Sequence, residues 1–324
     1  MAKRPLLMTG YMMQLMEDQL DQHFEVHRLH KAENRDELIS KVGPTIEAIC
    51  TGGHANVKVD DAMMARMPKL RMIGNFGVGY DSVDAAAAAK RGIVVSNTPD
   101  VLTEEVADTT LGLMLMTVRE FPQSERYLRA GKWATNGDYR LTPGSLRDRS
   151  VGILGMGRIG KAIATRCEAF GLPLSYSTRR QQPDLKYAYY PNAVELAKAV
   201  DTLIVIVPGG AETKNMINAE VLQALGPRGV LINMARGTVV DETALIKALK
   251  DNTILAAGLD VVWTEPKINP ELFELENAVL LPHVGSASIP TRNKMGQLVV
   301  DNLKAFDEGK PPLSPVPETP FKGW

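Results

Sequence analysis

Short hydrophobic runs recur along most of the chain, each followed by a longer stretch whose apolar positions fall three and four apart. Brief apolar runs bounded by turn residues predict buried strands of a parallel sheet, and the helical period predicts the helices that cover it. In the N-terminal third the strand candidates are residues 5–9, 24–29, 46–51, 70–75 and 93–96. Before the last of these, Asp81-Ser82-Val83-Asp84 leads into five alanines, and Gly92 closes the segment. That order of cap, strong helix former and terminal glycine predicts a helix opening at Asp81. Thr98-Pro99-Asp100 then breaks the pattern as a linker. Residues 102–130 read as mostly helical with a breaker at Pro122, and residues 131–149 read as loop, with turn signals at Asn136-Gly137 and Pro143-Gly144. A second α/β run follows, with strands at 150–154, 172–177, 202–207, 230–234, 255–261 and 279–281. Six strands with interleaved helices suit a doubly wound sheet. An amphipathic helix over 289–308 carries Met295, Leu298, Val299 and Leu303, and a proline-rich tail ends the chain.

Candidate chemistry enters at Val151, where an apolar strand runs into Gly155-Met156-Gly157-Arg158-Ile159-Gly160. In a strand-turn-helix setting this spacing is a dinucleotide fingerprint: a tight turn, a bare backbone for a pyrophosphate, and a helix packed close to its strand. The helix expected over 158–170 directs free N–H groups and positive dipole at the phosphates. An NAD-binding unit places an acid for the ribose 2′-OH about 20 residues further on. Here that place falls to Ser177, followed by Thr178, Arg179 and Arg180. A carboxylate there would repel a 2′-phosphate, whereas two guanidiniums can clamp one, so the reading is NADP(H).

Bulk properties narrow the partners. A chain of 324 residues suits two domains, and a net charge of −1 with a pI near 6.5 offers no general attraction for nucleic acid or anionic lipid. Cys50 and Cys167 are too few and too far apart for a zinc motif or a disulfide framework, so packed thiols in a reducing compartment and no metal are expected. Polar residues interrupt the N-terminal apolar run too early for a signal peptide, and no stretch reaches membrane-spanning length. The expectation is a soluble, cytoplasmic protein.

Ligands of doubly wound sheets bind beyond the carboxyl ends of the strands. Three residues fall there: Arg236 after 230–234, Glu265 after 255–261, and His283 after 279–281. A guanidinium holds a carboxylate in its fork, a histidine moves a proton near neutral pH, and a glutamate orients that histidine. Together they fit hydride chemistry on a 2-oxo acid. In the N-terminal run, the turn at Val78 and Gly79 suits an anion.

The ordered set Leu154-Gly155-Met156-Gly157-Arg158-Ile159-Gly160, Asn233-Met234-Ala235-Arg236-Gly237, Gly258-Leu259-Asp260-Val261 with Glu265-Pro266, and Pro282-His283-Val284-Gly285-Ser286 resembles the D-isomer-specific 2-hydroxyacid dehydrogenases over nearly the whole chain. Through Asn75-Phe76-Gly77-Val78-Gly79-Tyr80-Asp81 and Asn97-Thr98-Pro99-Asp100-Val101-Leu102 it is most similar to their NADPH-dependent glyoxylate/hydroxypyruvate reductases. The resemblance implies an α/β fold of two Rossmann-like or flavodoxin-like lobes with doubly wound parallel sheets. Residues 1–99 and 288–324 would form a discontinuous substrate-binding domain, into which an NADP-binding domain, 100–287, is inserted. It implies Arg236, Glu265 and His283 as the catalytic set, with Val78, Gly79, Arg236 and Ser286 on a small 2-oxo acid. Coenzyme contacts then fall to the glycine turn, residues 177–180, Val207-Pro208, Thr213, Met234, Ala235, Asp260 at the nicotinamide amide, His283 and Gly285. A homodimer is implied too, with Trp133 and Tyr139 in a loop that can reach the partner.

Relatives of the same fold stay in view: a 2-ketogluconate reductase, a short phosphoglycerate dehydrogenase, or a nucleotide-sensing corepressor. Formate dehydrogenases carry Gln where this chain has Glu265. His54 is a second candidate for the substrate cleft. His23, His27 and His30 read as solvated, and Met114 and Met116 as core or dimer-contact residues.

Overall fold

Among the described residues twelve strands form two sheets, and every pairing within them is parallel. The structure is a computed structural model and describes residues 3–52 and 57–324; His54 lies outside them. The chain divides into two units, Met1–Leu102 with Ser288–Trp324, and Thr103–Ala287.

In the first unit β1 (Arg4–Met8), β2 (Phe24–Arg28), β3 (Ala48–Gly52), β4 (Met72–Phe76) and β5 (Val94–Ser96) lie in the order β2-β1-β3-β4-β5. This is the flavodoxin-like arrangement. All five residues of β3 and of β4 are buried, as expected for a parallel strand covered on both faces. The C-terminal helix Ile289–Asp307 returns onto this sheet. Val299 and Leu303 lie 3.2 Å from where a β-carbon on Gly74 would sit, so a side chain there would push the helix away. The tail then adds an edge to β5: Val316 N–H donates to Val95 O at 2.8 Å, and Val95 N–H donates to Thr319 Oγ1 at 2.9 Å.

In the second unit β6 (Val151–Leu154), β7 (Leu174–Ser177), β8 (Ala188–Tyr190), β9 (Thr202–Val205), β10 (Val230–Asn233), β11 (Ala256–Leu259) and β12 (Ala278–Leu280) lie in the order β12-β11-β10-β9-β6-β7-β8. Strand order runs one way from β6 to β8 and the other from β9 to β12. The reversal between β6 and β9 is the position at which such sheets open a crevice beyond their carboxyl ends. Leu154, Leu203, Val205, Leu231, Ala257 and Leu259 join helix side chains in one buried cluster.

Several expectations need correction. The sheet has a seventh strand, Ala188–Tyr190, which the six-strand reading omits. The helix expected at Asp81 is Ala85–Lys90; Asp84 is its cap, with its carboxylate accepting from Ala87 N–H. It therefore starts too late for its N-terminus to back the Val78–Gly79 turn. Pro122 opens the helix Phe121–Arg129, where its missing N–H costs nothing, and the expected loop after it contains the helix Lys132–Asn136. His30 is not solvated: both ring nitrogens are buried, the ring packs 4.3 Å from that of Tyr11, and burial lowers its pKa. Cys50 and Cys167 are buried, unpaired thiols, each pushed up to about 12 by burial. Among the described residues no helix is long and apolar enough to cross a membrane, and no three His, Cys, Asp or Glu side chains group as a metal site.

Candidate active site

The chemistry-bearing residues of the second unit follow the carboxyl ends of six adjacent strands. On one side stand Arg236 after β10, Asp260 and Glu265 after β11, and His283 after β12. On the other stand Val207 and Pro208 after β9, the glycine turn after β6, and Thr178, Arg179 and Arg180 after β7.

His283 Nδ1 lies 2.6 Å from Glu265 Oε2, and Val262 N–H donates to Glu265 Oε1 at 3.1 Å. A carboxylate only accepts, so the Nδ1 that faces Glu265 carries the hydrogen. Burial pushes the Glu265 carboxyl up, but the hydrogen bond and charge of His283, the Val262 N–H and the charge of Arg236 outweigh it and hold Glu265 below its ordinary range. Both side chains stay reachable, with exposures of 34% for His283 and 35% for Glu265.

The loop carrying His283 is built on Asp260. This residue is 3% exposed; its carbonyl accepts from His283 N–H at 2.8 Å, and its carboxylate from Val284 N–H at 2.7 Å and Gly285 N–H at 2.9 Å. Burial raises its pKa against those two N–H groups. His283 itself has φ of 54°, a left-handed conformation that histidine tolerates better than most residues. Gly285 leaves no room for a side chain, since a β-carbon would lie 2.8 Å from Asp260 Oδ2. Arg236 is set by an analogous clamp: buried Asn233 accepts from Ala235 N–H at 3.0 Å and donates to Arg236 O at 3.0 Å, while Arg236 Nη1 donates to Ala235 O at 2.7 Å. Met234 and Ala235 are buried between them, and Ser286 is half-buried.

The glycine turn fits a dinucleotide residue by residue. Gly155 has φ of 104°, and a β-carbon on it would lie 2.7 Å from Ile206 O, just past the end of the strand across the reversal. One on Gly160 would lie 2.2 Å from Gly155 O, so the helix Arg158–Ala169 can pack this close only with glycine. At Gly157 a β-carbon would meet nothing within 4 Å, leaving a bare backbone at the helix N-terminus that faces open space. Met156 is buried; Arg158 is exposed and Ile159 half-buried.

Beyond β7 the geometry is more selective than the sequence. Ser177 is 2% exposed and contributes its backbone, its carbonyl accepting from Gly155 N–H at 2.9 Å. The exposed groups are Arg179 and Arg180. Their loop is held by Thr178 Oγ1 donating to Arg180 O at 2.6 Å, by Gln182 N–H donating to the buried Tyr176 hydroxyl at 2.8 Å, and by Gln182 Nε2 donating to Met156 O at 3.0 Å. Arg179 Nη1 lies 3.6 Å from Glu212, in the glycine-rich loop after β9 that Thr213 closes onto Pro208 O at 2.7 Å.

In the first unit the Val78–Gly79 turn follows β4. Asn75 Nδ2 donates to Gly77 O at 3.2 Å and to Gly79 O at 3.0 Å, Asn97 Nδ2 donates to Val78 O at 2.8 Å, and Thr98 N–H donates to Gly77 O at 3.0 Å. Three successive carbonyls are thus tied down. Trp133 is 59% exposed with its indole N–H donating to Asp138, while the Tyr139 hydroxyl donates to Glu120. Sequence reasoning gave no role to Asn75, Asn97, Asn233, Tyr176 or Gln182. The first three open motifs it quoted, and a polar residue at the end of a buried strand is the signal that marks them.

Residues 111–285 match the family model for the NAD binding domain of D-isomer specific 2-hydroxyacid dehydrogenases. The chain is 43% identical over 311 residues to glyoxylate/hydroxypyruvate reductase A of Arabidopsis thaliana, covering 96% of this chain and 98% of that one. It is 40% identical over 319 residues to the 2-ketogluconate reductase of Gluconobacter oxydans, covering 98% and 100%. Among solved structures, the NADPH-dependent glyoxylate/hydroxypyruvate reductase of Sinorhizobium meliloti, in complex with NADP and malonate, superposes with a TM-score of 0.93 at 50% identity, over 99% of this chain and 98% of that one. With the strand-end residues in place and relatives spanning its whole length, the chain belongs to the D-isomer-specific 2-hydroxyacid dehydrogenase family.

Proposed function

We propose that this enzyme reduces small 2-oxo acids, glyoxylate and hydroxypyruvate first among them, using NADPH. The observation that carries the reading is the 2.6 Å pairing of His283 Nδ1 with Glu265, which orients the ring and stabilises its charged form on the sheet edge shared with the glycine turn. NADPH, when bound, supplies the hydride. Gly155, Gly157 and Gly160 would receive its pyrophosphate, Arg179 and Arg180 would hold its 2′-phosphate, and Asp260 would stand by the nicotinamide amide. His283 releases a proton from Nε2 to the oxygen at C2 while Glu265 stabilises the charged ring beforehand and keeps Nδ1 protonated afterwards. Arg236 grips the carboxylate and polarises the carbonyl, and the N–H groups of Val78 and Gly79 hold the carboxylate in turn. On this reading the first unit is the substrate-binding domain and the second the NADP-binding domain. The homologous NADP-bound reductase supports the coenzyme choice.

Two further assignments belong to the proposal. Exposed Phe121, Leu128, Trp133 and Leu141 cluster along one stretch of chain and support a homodimer. Unpaired, buried thiols support a reducing, cytoplasmic setting.

Initial rates on glyoxylate, hydroxypyruvate and 2-ketogluconate, each with NADPH and with NADH, test the reading. We expect the highest kcat/KM for one of the first two with NADPH. A preference for NADH removes the coenzyme assignment, 2-ketogluconate as best substrate moves the enzyme to that relative's reaction, and absence of turnover points to a nucleotide-binding role without catalysis.

A further inference from the structure

We propose that the C-terminal tail supports the substrate-carboxylate turn, with Ser314 and Glu318 as positioning residues that act through Asn97 and Tyr80. The inference rests on the reading of Val78 and Gly79 as the carboxylate site and deepens it.

Ser314 is bound to Asn97 in both directions: its hydroxyl donates to Asn97 O at 2.7 Å, and its carbonyl accepts from Asn97 N–H at 3.2 Å. Asn97 passes that constraint on, since its side-chain amide donates to Val78 O at 2.8 Å. Ser314 is in turn fixed from the C-terminal helix, where buried Asn302 accepts from Ser314 N–H at 3.0 Å and donates to its hydroxyl at 2.9 Å. Four residues on, the Glu318 carboxylate accepts from the Tyr80 hydroxyl at 3.0 Å, on the other side of Gly79. Val316, between these contacts, and Thr319, just past them, pin the tail to Val95.

A peptide unit is planar, so holding the Val78 carbonyl sets the direction of the next N–H, that of Gly79. With Asn75 holding the carbonyls of Gly77 and Gly79 as well, the orientation of the peptide units on both sides of Val78 and Gly79 is set. An anion site made of backbone N–H groups depends on that orientation more than on any side chain. The tail reaches the turn at two places, through Asn97 at Val78 and through Tyr80 next to Gly79. Its loss should therefore weaken substrate binding and leave the coenzyme unit untouched.

The test is steady-state kinetics with glyoxylate and NADPH on Ser314→Ala and Glu318→Ala, beside Ser314→Thr and Glu318→Gln, which retain the hydroxyl and an acceptor. We expect each alanine variant to raise the glyoxylate KM by roughly three- to tenfold, the effect of one lost hydrogen bond, with NADPH KM and kcat within about twofold. The conservative variants should return the KM to the parent value. An unchanged glyoxylate KM in both alanine variants overturns the inference, as does a joint loss of kcat and NADPH affinity, which would mark the tail as a general stabiliser. Val78→Pro, which deletes an N–H of the turn itself, separates the two levels. If it leaves the glyoxylate KM unchanged, the carboxylate reading fails; if it raises that KM while the tail variants do not, only the tail's role fails.

Discussion

Replacing Glu265 by Gln keeps shape and volume while removing the charge, and the geometry says what the amide must do. Glu265 accepts twice, from Val262 N–H through Oε1 and from His283 Nδ1 through Oε2. A glutamine has one acceptor and one donor end. If its oxygen keeps the Val262 N–H, its NH₂ faces Nδ1 and forces the hydrogen onto Nε2, the tautomer that cannot give up a proton without becoming an anion. If the amide is turned round, its NH₂ opposes the Val262 N–H. The first arrangement sets the NH₂ against Nδ1–H once the ring is charged, the second sets donor against donor at Val262, and in both the charged ring loses its carboxylate. Hydrogen bonds to charged groups contribute about 1.5–3 kcal/mol. Both side chains are a third exposed, at 34% and 35%, so water screens the pair and the lower half of that range applies. That converts to a fall in kcat of roughly ten- to thirtyfold.

The pH dependence carries the sign. In the parent, Glu265 is held ionised below the ordinary carboxylate range, so the charged ring keeps its partner into mild acid. In the Gln variant no carboxylate at this position can take up a proton, so the acid-side loss of activity that Glu265 imposes on the parent profile should be absent. The assay follows coenzyme absorbance across pH at saturating glyoxylate. A Gln variant with kcat within a factor of two and an unmoved profile would refute the relay.

Other substitutions separate proton transfer from binding. His283→Asn suits the left-handed backbone at that position, and kcat should fall by about 10²–10⁴-fold with NADPH binding, followed by its fluorescence, unaltered; full turnover would remove the histidine from the chemistry. Arg179→Ala with Arg180→Ala should raise the NADPH KM by about tenfold or more and spare NADH. Glu212→Gln should move the NADPH KM the other way by a few-fold at most, because an exposed carboxylate 3.6 Å from Arg179 competes with the phosphate for it; equal effects on both coenzymes would argue against a 2′-phosphate site.

The sequence made the strand ends legible because a parallel strand buried on both faces is an uninterrupted apolar run, and the residue after it stands out. Arg236, Glu265 and His283 were found in this way, as were the three glycines, whose spacing reflects backbone contacts within a single turn. Ala188–Tyr190 was missed because a three-residue edge strand after Pro183, Asp184 and Lys186 has no period to detect. The late start of the helix at Ala85 was hidden by two aspartates that can both cap, of which only Asp84 does. The side-chain amides that hold the turns are harder still. Asn97 stands out as a polar residue at the end of a buried strand, but the carbonyl it reaches is 19 residues away and nothing local in the sequence names that partner. Asp260 shows the same limit from the other direction: its type and place were legible, while its hold on the loop of His283 follows only from coordinates.

The return of the C-terminal helix and tail to the first unit also fixes an order of assembly. As the chain leaves the ribosome, β1 to β5 emerge first, yet the face of β4 meant for Val299 and Leu303 and the edge of β5 meant for Val316 stay uncovered until those residues are made. The whole of Thr103–Ala287 is synthesised in between and already contains all seven of its strands. The second unit can therefore finish while the first waits with apolar surface exposed, the condition under which nascent chains are most prone to aggregate. Of the two units, the one whose synthesis starts first is the last to become native.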